Sequence, residues 1–524
     1  MHMRADGASW AIATPHATAT EAGASSFERG GNALDAALAA ATTLAIVYPH
    51  MCGVGGDLFA LLQLPDGASW AVNSSGRAPS GIDVEALRRE HGAMPVQGPA
   101  TATVPGAVAG WSTLHRLGAT GSWSAAFATA VQLALDGAPV APGLADSLTH
   151  HIDRLAGDPG MAAVFLPNGA APKAGDIVRQ PALGATLQAI ADGGGDAFYR
   201  GTIGRRYAAG LRELGVPVTD DDLAGHRADV LPPLAARYRD LHVSVSPPNS
   251  QGFVLLEILS LIERLGVDPD PDGPDAGSIG LVAEAAGADR ELHLADADAM
   301  RVHPHTLLDD GHLAGITDGI RERAILHRDH PHPSGDTVAL VAADGRGHAV
   351  SLIQSLFDGF GSGLLEPATG IVAQSRGACF TLDPGHTNEA GPGKRPAHTL
   401  MPVLVHRDGE LVGVAGTMGG FAQPQINATT LIRSFDLGMH PADAVAAPRW
   451  LASGMERADV GPPHVVAEPD VSTTARSSLR AAGFLLDDRD GSDGSVGHAH
   501  VIRVGPRGFQ AGADPRSDGG AVAG

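Results

Sequence analysis

Only two cysteines, Cys52 and Cys379, occur in 524 residues, so no disulfide framework can staple this chain and both are expected as reduced thiols. Runs of lysine or arginine are missing as well: 36 basic residues stand against 58 acidic ones, a formal net charge of −22. Nucleic acid and anionic membranes are therefore poor candidate partners. No uninterrupted apolar stretch is long enough to span a bilayer, and the opening "MHMRADGASWAIATPHATATEAG" lacks the apolar core of a signal peptide. These absences predict a cytoplasmic protein. The length exceeds the usual size of one hydrophobic core, which leaves two lobes or one large αβ body open.

The segment "GGNALDAALAAATTLAIVYPH", residues 30–50, is helix-forming and apolar on nearly every face, which predicts a buried helix ended by Pro49. A Gly-rich turn follows, then a hairpin with strands near 58–64 and 70–74 about Pro65-Asp66-Gly67. Residues from about 104 to 330 read as a helical middle, with "FVLLEILSLIERL" among its clearest patterns. Strands return at 337–355, 403–415 and 499–504, so the fold class is α+β and not a regular βαβ alternation. By composition, the end of the chain from about residue 511 reads as a flexible tail.

The segment "HRDHPHPSGD", residues 327–336, stands directly before Thr337. Its His327, His330 and His332 are conceivable metal ligands, but two prolines in six residues hold the chain extended, and an exposed linker fits better. A strand that begins at threonine straight after such a linker suggests a cut between Asp336 and Thr337. An N-terminal threonine supplies both nucleophile and base: its hydroxyl attacks, and its own α-amino group, pKa about 7.7–8.0, takes the proton. An isolated Asp-Thr pair would carry little weight.

Its neighbours carry more. "GGNALDAALAAA", "YPHMCGVGGDLFAL", "TVPGAVAGW", "GDAFYRGTIG", "VTDDDLAGHRADVLPP", "SPPNSQGF", "GHAVSLIQSLFDGFGSG", "PGKRPAHTLMPVLV", "GTMGGFAQPQ" and "LGMHPADAVAAPRW" follow one another from residue 30 to 450. In this order they resemble the γ-glutamyltransferase family of N-terminal nucleophile hydrolases. The resemblance implies a four-layer αββα sandwich and self-cleavage ten residues before the glycine that matches Gly347, which is Thr337. It implies a large chain, 1–336, and a small chain, 337–524, of one globular unit. It also implies that Ser355 assists Thr337, that Gly419 and Gly420 donate to the oxyanion, and that His398 and Thr399 help hold substrate. No metal or organic cofactor is implied, and a homodimer stays open. The residues of "GTMGG" support their part independently, since a Gly-rich strand-to-helix turn exposes backbone N–H groups at a helix start. "GVGGDLF" lacks nucleotide-loop spacing and reads as a turn packed near the active site. Lys394 and Arg395 are expected to brace loops.

The resemblance breaks where family members grip the α-carboxylate and α-amino groups of glutamate. Ser75 stands at the arginine's position, with Arg77 two residues on and expected on the same face of an extended segment. Cys379 replaces the aspartate, and Arg376 replaces a neighbouring glutamine. A cationic α-amino group would meet a guanidinium there, so an anionic or neutral group is favoured, unless Arg376 serves a structural salt bridge. These departures resemble the oxamate-amidohydrolase-like and cephalosporin-acylase-like branches. Thirteen residues between Phe380 and Lys394 predict a small lid at most and an open pocket. The reading is a self-processing Thr amidohydrolase acting on a small-molecule amide whose acyl group lacks the α-amino group. The alternatives are a genuine γ-glutamyltransferase or glutathione hydrolase with a rebuilt pocket, and an unprocessed binding or scaffold homologue.

Overall fold

The computed structural model describes residues 2–322, 336–452, 463–489 and 496–524. Its centre is a pair of seven-stranded antiparallel sheets. In chain order their strands are β1 (Arg4–Gly7), β2 (Trp10–Thr14), β3 (Asp57–Gln63), β4 (Ser69–Ser74), β5 (Asp229–Leu231), β6 (Leu234–Tyr238), β7 (Leu241–Val245), β8 (Asp336–Asp344), β9 (Ala349–Phe357), β10 (Val403–Arg407), β11 (Glu410–Thr417), β12 (Ala499–Gly505), β13 (Gly508–Ala513) and β14 (Gly520–Ala523). The first sheet runs β14-β2-β8-β9-β3-β4-β5 and the second β1-β13-β12-β11-β10-β7-β6. The helices that matter most are α1 (Ala17–Glu28), α2 (Ala33–Val47), α3 (Val84–His91), α4 (Ala107–Gly118), α5 (Gly252–Leu265), α6 (Ala276–His293), α7 (Asp310–Arg321) and α8 (Gln423–Leu431).

Four layers follow from where the side chains go. Alternate residues of β8 point to opposite faces: Val338, Leu340 and Ala342 join the core under α1 and α2, while Val341 and Ala343 join the core between the sheets. On the second sheet, Val243, Val245, Val403 and Val405 pack against α5, α6 and α8. Because both faces of each sheet are covered, the strands read as nearly unbroken apolar runs, and a one-residue slip would misplace every side chain. Each fully buried Leu or Val contributes about 1.5–3 kcal/mol. The inter-sheet layer is largely alanine, including Ala11, Ala13, Ala71, Ala343 and Ala511, whose small side chains let the sheets lie close.

Helix α2 is buried at every position and begins with a reciprocal capping box between Asn32 and Asp35. It stops at Val47, two residues before Pro49, as its sequence predicts. Two expectations are corrected. The helical middle is interrupted by β5, β6 and β7, whose short alternating pattern places Val243 and Val245 inward. The expected flexible tail from about 511 is instead ordered sheet: β13 ends at Ala513 and β14 pairs with β2 from Gly520 to Ala523. Small residues that suggest disorder by composition are what this close-packed layer requires; Ala511, Ala513 and Ala521 are buried there. Asp514 is fully buried between Arg449 and Arg516, which, against the cost of burial, hold its carboxyl down at about 2. Among the described residues no helix is long and apolar enough to cross a membrane, and Cys52 and Cys379 are free, buried thiols.

Candidate active site

Thr337 is the second residue of β8, at a break in register. Asp336 pairs with Phe357 and Val338 with Gln354, so Ser355 and Leu356 together oppose the single residue Thr337. A bulge of this kind re-aims side chains, and here the Thr337 hydroxyl donates to Ser355 Oγ at 3.1 Å. Ser355 Oγ in turn donates to the carbonyl oxygen of Asp336 at 2.6 Å. Two N–H donors also converge on the serine oxygen, Phe357 N–H at 2.8 Å and Arg376 Nη2 at 3.2 Å. Donors at the oxygen strengthen the serine as a donor. The carbonyl before Thr337 thus accepts from a serine that is itself hydrogen-bonded to a guanidinium, a charge-assisted chain that polarises the carbonyl.

Gly56 of the "GVGG" turn is required for this packing, since a Cβ there would lie 2.3 Å from the Ser355 carbonyl oxygen. That turn therefore does pack against the site, as read from the sequence.

Arg376 lies in a short 3-10 turn, Arg376–Cys379, and is fully buried. Its guanidinium donates to Ser355 Oγ, to Thr399 Oγ1 at 3.0 Å and to Cys379 Sγ at 3.7 Å, and lies 4.4 Å from the centre of the Phe357 ring. Among the described residues no carboxylate forms an ion pair with it, and its Nε has no hydrogen-bond partner. Burial lowers its pKa while Cys379 and Asp57 oppose the shift, and an arginine remains a cation under such conditions. The expected alternative of a salt bridge is thereby corrected. Cys379 offers no charge in return, because burial pushes its thiol up to about 11 despite the neighbouring guanidinium.

His398 is fully buried under this cluster. Its Nδ1 accepts from Leu400 N–H at 3.3 Å, so Nε2 carries the proton and donates to Asp57 Oδ2 at 3.0 Å. Burial, then Arg376, push the imidazole down to about 3, so the pair is a hydrogen bond from a neutral ring. Asp57 also accepts from Gly76 N–H and Gln374 Nε2, each at 2.8 Å. Although burial opposes it, these bonds and the charge of Arg376 hold its carboxyl below the usual range. Asp57 was not singled out from the sequence. Its signal was a carboxylate directly before the apolar run Leu58–Leu62 of the strand "DLFALLQ".

The turn between β11 and α8 holds Gly419 at φ 136 and Gly420 at φ 53, conformations that favour glycine. Among the described residues neither N–H donates to any acceptor. Gln251 Nε2 fixes the turn from behind, donating to Gly420 O at 2.9 Å and Thr399 O at 2.8 Å. Gln251 too was missed, although it lies in the quoted "SPPNSQGF".

Two expectations fail here. Arg77 does not join the cluster: its guanidinium donates to Asp296 Oδ2 at 3.3 Å and Gly393 O at 3.0 Å. β4 ends at Ser74, and Gly76 is pressed against Val104 O, so strand alternation does not carry from Ser75 to Arg77. Ser75 itself is buried against Asn73 and Asn249. The site is also closed: Thr337 is 1% exposed, with Phe357, Ala378, Cys379 and Phe421 in one apolar cluster over the guanidinium. Loop 380–394 is pinned by α3, through Arg88 to Leu382 O and Glu389. Lys394 and Arg395 do brace loops, Lys394 through Thr387 O and Glu389 O, Arg395 through Ser75 O and Asp229. His327, His330 and His332 lie outside the described residues.

Known proteins match the chain over nearly its whole length and share its fold. The model of the gamma-glutamyltranspeptidase family matches residues 19–524. The chain is 36% identical to the oxamate amidohydrolase proenzyme of Klebsiella pneumoniae subsp. pneumoniae over 97% of each chain. It is 29% identical to the glutathione hydrolase proenzyme of Escherichia coli, over 97% of this chain and 90% of that one. The crystal structure of cephalosporin acylase from Bacillus halodurans superposes with a TM-score of 0.91 at 32% identity, covering 100% of this chain and 97% of that one. The reading as a non-catalytic scaffold falls with these matches, for the chain is an enzyme, an amide hydrolase or acyltransferase. It belongs to the gamma-glutamyltranspeptidase family of N-terminal nucleophile hydrolases, and is more similar to the amidohydrolase branches than to the glutathione hydrolase of E. coli.

Proposed function

We propose that the chain cuts itself between Asp336 and Thr337 and then hydrolyses a small amide whose acyl group carries a carboxylate and no α-ammonium group. The observation that carries this reading is Arg376: a fully buried guanidinium, unpaired by any described carboxylate and bonded to the hydroxyl that contacts Thr337. A buried cation of this kind is stabilised by an anion in bidentate reach. Severing the Asp336–Thr337 bond takes the Asp336 carbonyl off Ser355 and leaves Ser355 and Arg376 facing the vacated space. The new α-amino group of Thr337 takes the hydroxyl proton, the oxygen adds to the substrate amide, and Gly419 and Gly420 N–H hold the oxyanion. The leaving amine takes a proton as the C–N bond breaks, and water releases the acid from the Thr337 ester. Asp57, His398 and Thr399 position Arg376 and the loop it lies against.

Oxamate, for which the Klebsiella relative is named, has the required form, a carboxylate joined to an amide. The test is a panel of oxamate, a glutaryl amide, a γ-glutamyl anilide and glutathione offered to the matured enzyme. Turnover is expected on the first two, and glutathione is expected to be the poorest substrate. A clear preference for glutathione would make the chain a glutathione hydrolase with a rebuilt pocket.

Asp336 gives a second prediction. Burial, then repulsion from Asp358, pushes its carboxyl up to about 7 against the pull of Arg154. Below pH 4 the group is neutral folded or unfolded and costs nothing; between pH 4 and 7 the unfolded chain ionises while the folded chain resists, so stability is lost as pH rises through that window. In an uncut Thr337→Ala background, adding Asp336→Asn should raise Tm progressively from pH 4 to 7, with no further gain above. A Tm difference independent of pH would reject this account of Asp336.

A further inference from the structure

Three helices covering the second sheet bring Glu257 of α5, Asp289 of α6 and His312 of α7 together. Each offers one ligand atom, and these atoms lie within 4.8 Å of one another. His312 Nε2 stands 2.5 Å from Asp289 Oδ2 and 4.0 Å from Glu257 Oε1. Glu257 is fully buried, and among the described residues no N–H or hydroxyl donor reaches either of its carboxylate oxygens. It sits on a helix whose buried neighbours Leu256, Ile258 and Leu261 are all apolar. A buried carboxyl that no protein N–H or hydroxyl reaches is expensive to ionise, and a bound cation would offset that expense.

We propose that Glu257, Asp289 and His312 bind one divalent first-row cation of the zinc type, which ties α5, α6 and α7 together. One imidazole nitrogen with two carboxylates suits zinc, cobalt or manganese; calcium and magnesium prefer larger all-oxygen shells. Tetrahedral zinc with bonds of 2.0–2.1 Å sets its ligand atoms roughly 3.3 Å apart. The observed 2.5 and 4.0 Å straddle that value, and the third edge lies within 4.8 Å. Glu257 closes the inner side, while the side chains of His312 and Asp289 are 25% and 12% exposed and give the ion a way in. Beside Asp289, Arg290 donates to Phe421 O at 3.0 Å, so the ion would steady α6 where it braces the turn after Gly419 and Gly420. The site is separate from the Thr337 chemistry and does not depend on the proposed reaction.

The test uses the matured full-length enzyme, stripped with a chelator, reloaded with zinc and passed through gel filtration. One zinc per chain by elemental analysis and a Tm raised by roughly 2 °C are expected, with cobalt giving a visible absorption band in place of zinc. Both should be lost in Glu257→Gln and in His312→Asn, and kept when His327, His330 and His332 are all replaced by asparagine. Less than stoichiometric zinc in the wild type overturns the proposal without recourse to any variant. So does stoichiometric zinc that survives Glu257→Gln and His312→Asn, or that disappears in the triple replacement.

Discussion

Replacing Thr337 with alanine is expected to give a single uncut, folded chain of 53.3 kDa with activity down by roughly 10⁴-fold or more, the scale set by removing the nucleophile of other acyl-transfer enzymes. The same hydroxyl would serve twice, first against the Asp336 carbonyl and then against substrate, so one substitution removes both steps. The wild type should mature to chains of 336 and 188 residues, the shorter beginning Thr-Val-Ala-Leu, as read by mass spectrometry. The geometry separates this loss from a milder one. Ser355→Ala keeps the nucleophile but removes the hydroxyl that donates to Asp336 O at 2.6 Å. One donor at a developing oxyanion is worth about 2.7–4 kcal/mol, so cutting should slow by roughly 10²–10³-fold without being abolished. Amidase activity that persists in Thr337→Ala would place the chemistry elsewhere.

The second large effect concerns the acyl group. A glutaryl amide and its γ-glutamyl counterpart differ by one ammonium group, so the ratio of their kcat/KM values isolates what Arg376 and Cys379 do. An ammonium brought beside a buried guanidinium with no carboxylate partner costs about 2–5 kcal/mol, a preference for the glutaryl compound of roughly 30-fold to several thousand-fold. The structure sharpens the expectation, because Cys379 is a neutral thiol and Arg77, the other candidate to engage the glutamyl group, is turned to Asp296 and Gly393 O. Arg376→Gln with Cys379→Asp should move the ratio back toward the γ-glutamyl amide. It should not restore a strong enzyme, since Ser75 is buried among Asn73 and Asn249 and no arginine replaces it. A wild-type preference for the γ-glutamyl amide would refute the role given to Arg376.

By itself the sequence determined the fold class, the family and the order of the elements around Thr337, because those rest on local pattern. Apolar runs covered on both faces, the Asn32 and Asp35 cap, and the Gly-Gly turn after β11 act within a few residues of themselves. Ser355 and the glycines were legible for the same reason, as residue types in a recognisable order. Tertiary structure decided the rest. That Ser355 and Leu356 oppose Thr337 alone depends on a pairing register no single strand encodes. That no described carboxylate pairs with Arg376, and that Asp57 and His398 share a hydrogen bond across 341 positions of chain, depend on which loops meet beneath the sheets. Arg77 was misplaced because alternation holds only while the strand lasts, and β4 ends at Ser74. The alanine-rich end of the chain resembled a tail because composition reports the burial a segment can supply alone. Its order comes from the second sheet and from β2, against which those small side chains fit.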